Sequence, residues 1–179
     1  IGEARRLGLK VYPPHVSSPT VEYTVEPDGV RIGLNTLKGV GRDPILKIIE
    51  EGSREPFTSL DDFLRRVNPN KTVVVALANA GALDGWGTRR GIATVAADVL
   101  AQVRKYAKKT AGMDSLFALD SYVNFDIPNI EYSWFELLDH EKKVMGVYAS
   151  GHPMDNIPWD GISVAELLEL PEESKDTVC

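Results

Sequence analysis

The stretch LNTLKGVGRDPILKIIEEG, residues 34–52, restricts the fold more than any other part of the chain. Two short segments with apolar residues at helical spacing flank Gly39-Val40-Gly41, and Gly52 closes the second. Glycine takes left-handed backbone angles without a Cβ clash, so this pair predicts a tight turn between two helices. Ile45, Ile48 and Ile49 give the second helix an apolar face to lock against the first. Such a turn brings main-chain N–H groups close to an oxygen ligand and aims the next helix's positive end at the same point, an arrangement that suits phosphate. Lys38, Arg42 and Lys47 add charge that phosphate would neutralise. The candidate contacts to the backbone of duplex nucleic acid, a mode that reads no sequence, are therefore Lys38, Gly39, Val40, Gly41, Arg42 and Lys47. Two plainer readings stand beside this one. The bend is a helical turn with two permissive glycines, or its own Asp43, ahead of Pro44, caps the second helix and fills the phosphate's place.

Elsewhere the pattern is mainly helical. An opening helix, EARRLG, runs into a Pro-rich link, VYPPHVSSP; residues Val21 to Val25 then alternate, Pro27-Asp28-Gly29 turns and Val30 to Ile32 resumes, a β-hairpin signal. Thr58 or Ser59, with Asp61 or Asp62 three residues on, opens the helix SLDDFLRRV, which Asn68-Pro69 stops. Asn70 caps a segment ending at Gly81; its Val73-Val74-Val75 run favours strand, but its length, cap and glycine stop predict a helix. From Thr88, apolar Ile92, Val95, Ala96, Val99, Val103 and Tyr106 follow helical spacing, and Arg104, Lys105, Lys108 and Lys109 crowd the end where the helix dipole favours cations. Residues 110–131 read as an exposed loop or linker. Ser133, boxed with Glu136, begins a helix that buries Trp134, Leu137, Leu138, Val144, Met145 and Tyr148 and ends at SGHPMD. Ser163 with Glu166 caps a last short helix, AELLEL, stopped by Pro171. There is no internal repeat and no low-complexity tract. The expected fold class is mainly α: a helix-hairpin-helix with additional amphipathic helices and one short N-terminal β-hairpin.

With 179 residues, 43% of them hydrophobic, the chain has material for one core or two small ones. Its net charge of −6 is unevenly placed: residues 1–119 hold 17 Lys and Arg against 13 Asp and Glu, whereas residues 120–179 hold 3 against 13. The front two-thirds suits contact with phosphate and the tail does not. A single cysteine, Cys179, allows neither a disulfide framework nor a thiolate zinc site and fits a reducing compartment. No apolar run approaches the roughly 18 residues of a membrane span, and IGEARRLG lacks the apolar core of a signal peptide. The chain opens inside a predicted helix and ends on DTVC, which reads as the start of a strand, so it is expected to be a piece of something larger.

Six runs, EARRLGLKVYPPHV, GVRIGLNTLKGVG, PFTSLDDFLRRV, ALANAGALDGWGTRRGI, AGMDSLF and EKKVMGVYASGHPMD, occur in that order across nearly the whole chain. Together they resemble the back portion of the alpha subunit of bacterial DNA polymerase III. The resemblance implies the end of the fingers, with the β-hairpin, over 1–33, a helix-hairpin-helix region over 34–109, a clamp-binding loop or linker over 110–131, and a helical connector over 132–179 leading to an oligonucleotide-binding fold. In that family the palm, with its three metal-binding aspartates, lies upstream. The segment is thus expected to be part of a DNA-directed nucleotidyltransferase while holding no catalytic residue and no cofactor, Mg²⁺ belonging to the palm. The family's clamp-binding peptide has a leading Gln and a closing apolar pair. Leu116 and Phe117 supply the pair, Asp114 and Ser115 precede them, and Met113 stands in the place of the Gln. The partners implied are the duplex DNA backbone, the sliding clamp and the rest of the polymerase and replisome, in the cytoplasm at the nucleoid.

Other chemistry-bearing residues suggest structural roles. His15, His140 and His152 are isolated from one another and from the cysteine, so no metal site is expected. Asp61 and Asp62 are adjacent on a helix and diverge by about 100°, which suits acids in a first turn better than a metal pair. Trp86, Trp134 and Trp159 sit on apolar faces, where core packing is the commoner use. Two further functions remain: a base-excision glycosylase of the helix-hairpin-helix class, whose spacing LKGVGR with Asp61 imitates although Asp43 stands where its lysine belongs, and a protein-interaction module built on the acidic tail and the Leu116-Phe117 loop.

Overall fold

The first 33 residues build a small sheet rather than a bare hairpin. In the computed structural model, which describes residues 2–110 and 125–156, helix α1 (Gly2–Arg6) leads into strand β1 (Lys10–Tyr12), which takes in the first two residues of the stretch expected to be a Pro-rich link. The expected hairpin is present as β2 (Thr24–Glu26) and β3 (Gly29–Arg31), antiparallel with Val25 opposite Val30. β1 pairs in parallel with β3, so the strand order is β1-β3-β2. Periodicity could not reveal β1, because three residues are too few to alternate and their partner lies nineteen residues on, Lys10 opposite Gly29. Gly29 has to be glycine, since a Cβ there would lie 2.2 Å from the Lys10 carbonyl oxygen.

A single 3₁₀ turn, Leu34–Thr36, follows, and after the Gly39 bend comes helix α2 (Arg42–Arg54). The expected first helix of the hairpin is therefore reduced to one turn. Gly52 does not end α2; it lets Phe57 and Pro19 approach to 3.2 Å of where its Cβ would be. Helix α3 (Leu60–Val67) starts at Ser59, whose hydroxyl accepts from the Asp62 N–H, and stops at Asn68 in the left-handed region, φ 49°. Helix α4 (Lys71–Asn79) forms through the valine run with Asn70 as its cap, because Val73 and Val74 are buried there. Tertiary burial outweighs the few tenths of a kcal/mol per residue by which valine disfavours helix. Helix α5 (Arg89–Thr110) lies along α4 and α3. Helix α6 (Trp134–Met145) has the expected capping box, Ser133 with Glu136, and ends at Gly146, φ 77°.

One apolar core joins these elements. Val16 and Ile32 from the N-terminal region, Ile45 and Ile48 of α2, Phe63 and Leu64 of α3, Leu77 of α4, Ile92 and Leu100 of α5, and Met145 of α6 belong to the same cluster. Burial of each large side chain contributes about 1.5–3 kcal/mol, which is what holds α6 on the helical layer. On α6 Leu138 and Met145 are buried and Trp134, Leu137 and Val144 are half-buried, as is Tyr148 just beyond the helix end. The core-facing position that sequence reasoning did not anticipate is Glu141, with no exposed surface.

Candidate nucleic-acid interface

The bend at Gly39 is open to solvent. Lys38, Gly39, Gly41, Arg42 and Asp43 are all exposed, whereas Leu37 and Val40 point into the core and hold the bend from beneath. Gly39 has φ +84°, a conformation that side-chain-bearing residues avoid. Val40 is among the expected contacts, but its side chain is buried and its N–H is bonded to the Leu37 carbonyl at 3.3 Å. The Lys38 N–H donates to the Val144 carbonyl at 2.8 Å, which ties the bend to the last turn of α6 and leaves only the lysine side chain facing out.

The N–H groups of Gly39, Gly41, Arg42 and Asp43 have no protein acceptor among the described residues. Pro44 contributes no N–H, so α2 offers Arg42 and Asp43 alone in its first three positions. Gly41 is the N-cap, with φ −71° and ψ 167°, and no side chain caps the helix. Asp43 therefore does not close the bend. Lys47 lies one turn beyond Asp43 on the same exposed face of α2, where it offsets that carboxylate. Arg42 is the first residue of α2, at the end where the dipole disfavours a cation; an anion outside the helix would reverse that preference.

Two further elements reach this point. The position of a Gly39 Cβ would lie 3.7 Å from the Thr72 methyl, so the N-terminus of α4 abuts the bend; a Cβ on Gly146 would lie 3.9 Å from Lys38 Nζ. The Lys38, Arg42 and Lys47 side chains and four main-chain donors unpaired among the described residues are thus presented on a surface whose backbone is held by buried Leu37 and Val40.

The remaining polar residues serve the framework. Asp61 pairs with Arg65 at 2.8 Å, and Asp62 pairs with Arg66 at 3.2 Å while accepting the Thr58 N–H. His15 accepts the Ser17 N–H at Nδ1 and meets the Asp84 carbonyl at Nε2, His140 stacks on Tyr132 and His152 accepts the Met154 N–H. Among the described residues no cluster of three or more His, Cys, Asp or Glu could hold a metal ion, and no helix is long and apolar enough to cross a membrane. Trp86 packs on Phe63 in the core, and Trp134 lies against Gly151. Trp159, the loop Met113, Asp114, Ser115, Leu116 and Phe117, and the helix expected at AELLEL lie outside the described residues.

A family model described as a helix-hairpin-helix motif matches residues 8–93. The chain is 34% identical over 167 residues to the DNA polymerase III subunit alpha of Thermus aquaticus, covering 88% of this chain and 13% of that protein. It is 33% identical over 167 residues to the subunit of Borreliella burgdorferi, covering 87% and 15%, and 30% identical over 169 residues to that of Campylobacter jejuni, covering 87% and 14%. Along most of its length the chain is similar to a segment of the DNA polymerase III alpha subunit. It spans about one seventh of the length of these relatives.

The helix-hairpin-helix match extends past the Gly39 bend to a second helix–turn–helix, α4 to α5. Gly81 and Gly85 turn it, with φ of +79° and +97°. Here the helix N-terminus is occupied. The Glu131 carboxylate accepts the N–H groups of Arg89 at 2.9 Å, Arg90 at 3.1 Å and Tyr132 at 2.8 Å. Desolvation raises its pKa, but these three donors and Arg89 outweigh it and hold the group below its ordinary 4.5. Arg89 folds back into the protein, where it bonds Asp84 and, at 2.8 Å, the buried Glu141, which also accepts the N–H groups of Ala149 and Ser150. Of the two glycine turns, one has its helix end filled by the protein's own carboxylate and the other leaves it open. Sequence reasoning did not single out Glu131 or the Arg89–Glu141 pair; the signal that was present is the glycine spacing in GALDGWG, which repeats the style of LKGVG.

Proposed function

We propose that this segment grips duplex DNA through its phosphodiester backbone, without reading sequence, as a non-catalytic part of a replicative DNA polymerase. The observation that carries the reading is the exposed Gly39 bend, whose Gly39, Gly41, Arg42 and Asp43 N–H groups lack acceptors among the described residues and lie beside Lys38 and Arg42. Main-chain donors cannot distinguish bases from outside the grooves, so they position the duplex in any sequence. The similarity to DNA polymerase III alpha subunits supplies the context. The loop from Met113 to Phe117 is proposed to plug the sliding clamp with Leu116 and Phe117, which turns each dissociation from DNA into a tethered event that is quickly reversed.

Salt titration of duplex binding by the 179-residue chain tests the grip. Neutralising three phosphates, by Lys38, Arg42 and Lys47, gives a log–log slope of about −2.7 at least; a slope near zero defeats the reading. The tether is tested separately by Leu116→Ala with Phe117→Ala, which should abolish capture on immobilised clamp while leaving DNA affinity unchanged. A glycosylase is disfavoured because Asp43, an exposed carboxylate, stands where a Schiff-base lysine is needed, and Asp61 is engaged by Arg65. Cleavage of duplex containing an abasic site would reverse that preference.

A further inference from the structure

The Gly39 bend does not stand alone on its face of the molecule. Through the Thr72 methyl it adjoins the N-terminus of α4, which begins with exposed Lys71. The loop before α4 in turn meets the far end of α5, where Arg104 donates to the Pro69 carbonyl at 3.4 Å. Beyond that contact a groove of about 400 Å³ is lined in part by Arg65, Asn68, Arg104 and Lys108. Lys105 and Lys108, three residues apart on α5, are exposed. Residues 63–83 contain three cations and residues 99–110 contain four, with no Asp or Glu in either stretch. A basic track uninterrupted by acids along these two stretches therefore leads away from the bend.

Helix electrostatics explain only half of it. Cations in the last turns of α5 complement the dipole and would be found there in any stable helix. Lys71 is the opposite case: it is the first residue of α4, its first turn holds no acid, and the dipole opposes its charge. No ion pair to Lys71, Lys105 or Lys108 is formed among the described residues. An exposed cation that works against its own helix and lies next to a bend lined with unpaired N–H groups is placed for an external anion. Duplex DNA carries one phosphate charge about every 1.7 Å of its axis, so a linear array of cations is what it rewards.

Resting on the backbone-gripping reading above, we propose that the duplex-binding surface extends from the Gly39 bend across the N-terminus of α4 to the last turns of α5, with Lys71, Lys105 and Lys108 as additional phosphate contacts. The test compares the 179-residue chain with the triple variant Lys71→Ala, Lys105→Ala, Lys108→Ala, measured by fluorescence anisotropy on a duplex of arbitrary sequence over a series of salt concentrations. All three sites are exposed and alanine is a strong helix former, so the melting temperature should not fall. The log–log salt slope should become less negative by about 2.7, the value of three phosphate contacts. A second variant of equal charge change, Arg6→Ala, Lys10→Ala, Arg54→Ala, removes exposed cations away from the track, each paired to an acid. It should leave the slope unchanged. An unaltered slope in the track variant, or an equal change in the control, overturns the proposal. Parent protein without salt-dependent binding would instead defeat the underlying reading of the bend.

Discussion

Replacing Gly41 by aspartate is expected to stabilise this protein while weakening its hold on DNA. Gly41 is the N-cap of α2 at φ −71° and ψ 167°, angles open to any residue, and a Cβ there meets only Pro44 Cδ at 3.8 Å. A carboxylate at this position accepts the N–H of Asp43, because the next donor along the helix is removed by Pro44. Aspartate caps better than glycine by a few tenths of a kcal/mol, and a negative charge at the dipole's positive end adds about 0.3–1 kcal/mol. Repulsion from Asp43 offsets part of this, leaving a gain of about 0.5 kcal/mol and a rise in Tm of about 1–2 °C. The same side chain takes a donor away from phosphate and sets a negative charge beside it. Loss of one charge-assisted hydrogen bond, about 1.5–3 kcal/mol, weakens binding roughly tenfold to a hundredfold, with a salt slope less negative by about 0.9. Thermal melts and anisotropy on two short duplexes of unrelated sequence measure both quantities. A raised Tm with undiminished affinity would show that the bend does not meet phosphate, and a loss on only one duplex would contradict a backbone grip.

Three other outcomes follow from the same geometry. Gly39→Ala has space, with only the Thr72 methyl at 3.7 Å, but forces φ +84° on a side-chain-bearing residue, so chemical denaturation should show a loss of about 1–2 kcal/mol, and Gly39→Asn a smaller one. Glu141→Ala leaves Arg89 without its buried partner and the Ala149 and Ser150 N–H groups without an acceptor; a loss of about 3–5 kcal/mol is expected, against a smaller one for Glu141→Gln. Glu131 has a folded pKa below its ordinary 4.5, so its contribution is complete above that value and is lost as pH falls through the folded pKa. The gap in Tm between the parent and Glu131→Gln should therefore be widest near neutral pH and close in acid; a gap independent of pH would show that the carboxylate's charge does not latch α5.

Most helices were legible because their signals are local. Ser59, Asn70 and Ser133 are caps whose hydrogen bonds close within three residues, and the apolar spacing of α5 needs no knowledge of its partner. The bend was legible for the same reason, since glycine at Gly39 answers a backbone angle of its own. The elements that escaped notice depend on residues distant in the chain. β1 exists because β3 offers it an edge, and the first helix of the hairpin is confined to the 3₁₀ turn Leu34–Thr36, followed by Lys38, whose N–H is taken by Val144 of α6.

What residue order alone determined is a mainly helical chain with one glycine-bounded bend and cations around it, because helix propensity, capping and left-handed backbone angles are short-range properties. Whether that bend could receive an anion was decided only in three dimensions. Asp43 and Glu131 are both carboxylates near a helix start, yet among the described residues Asp43 caps nothing, and Glu131, forty-two residues after Arg89 in the chain, fills the N-terminus of α5. Hydrogen-bond donors are satisfied by whichever acceptor the fold delivers to them, and delivery across such separations is a matter of packing.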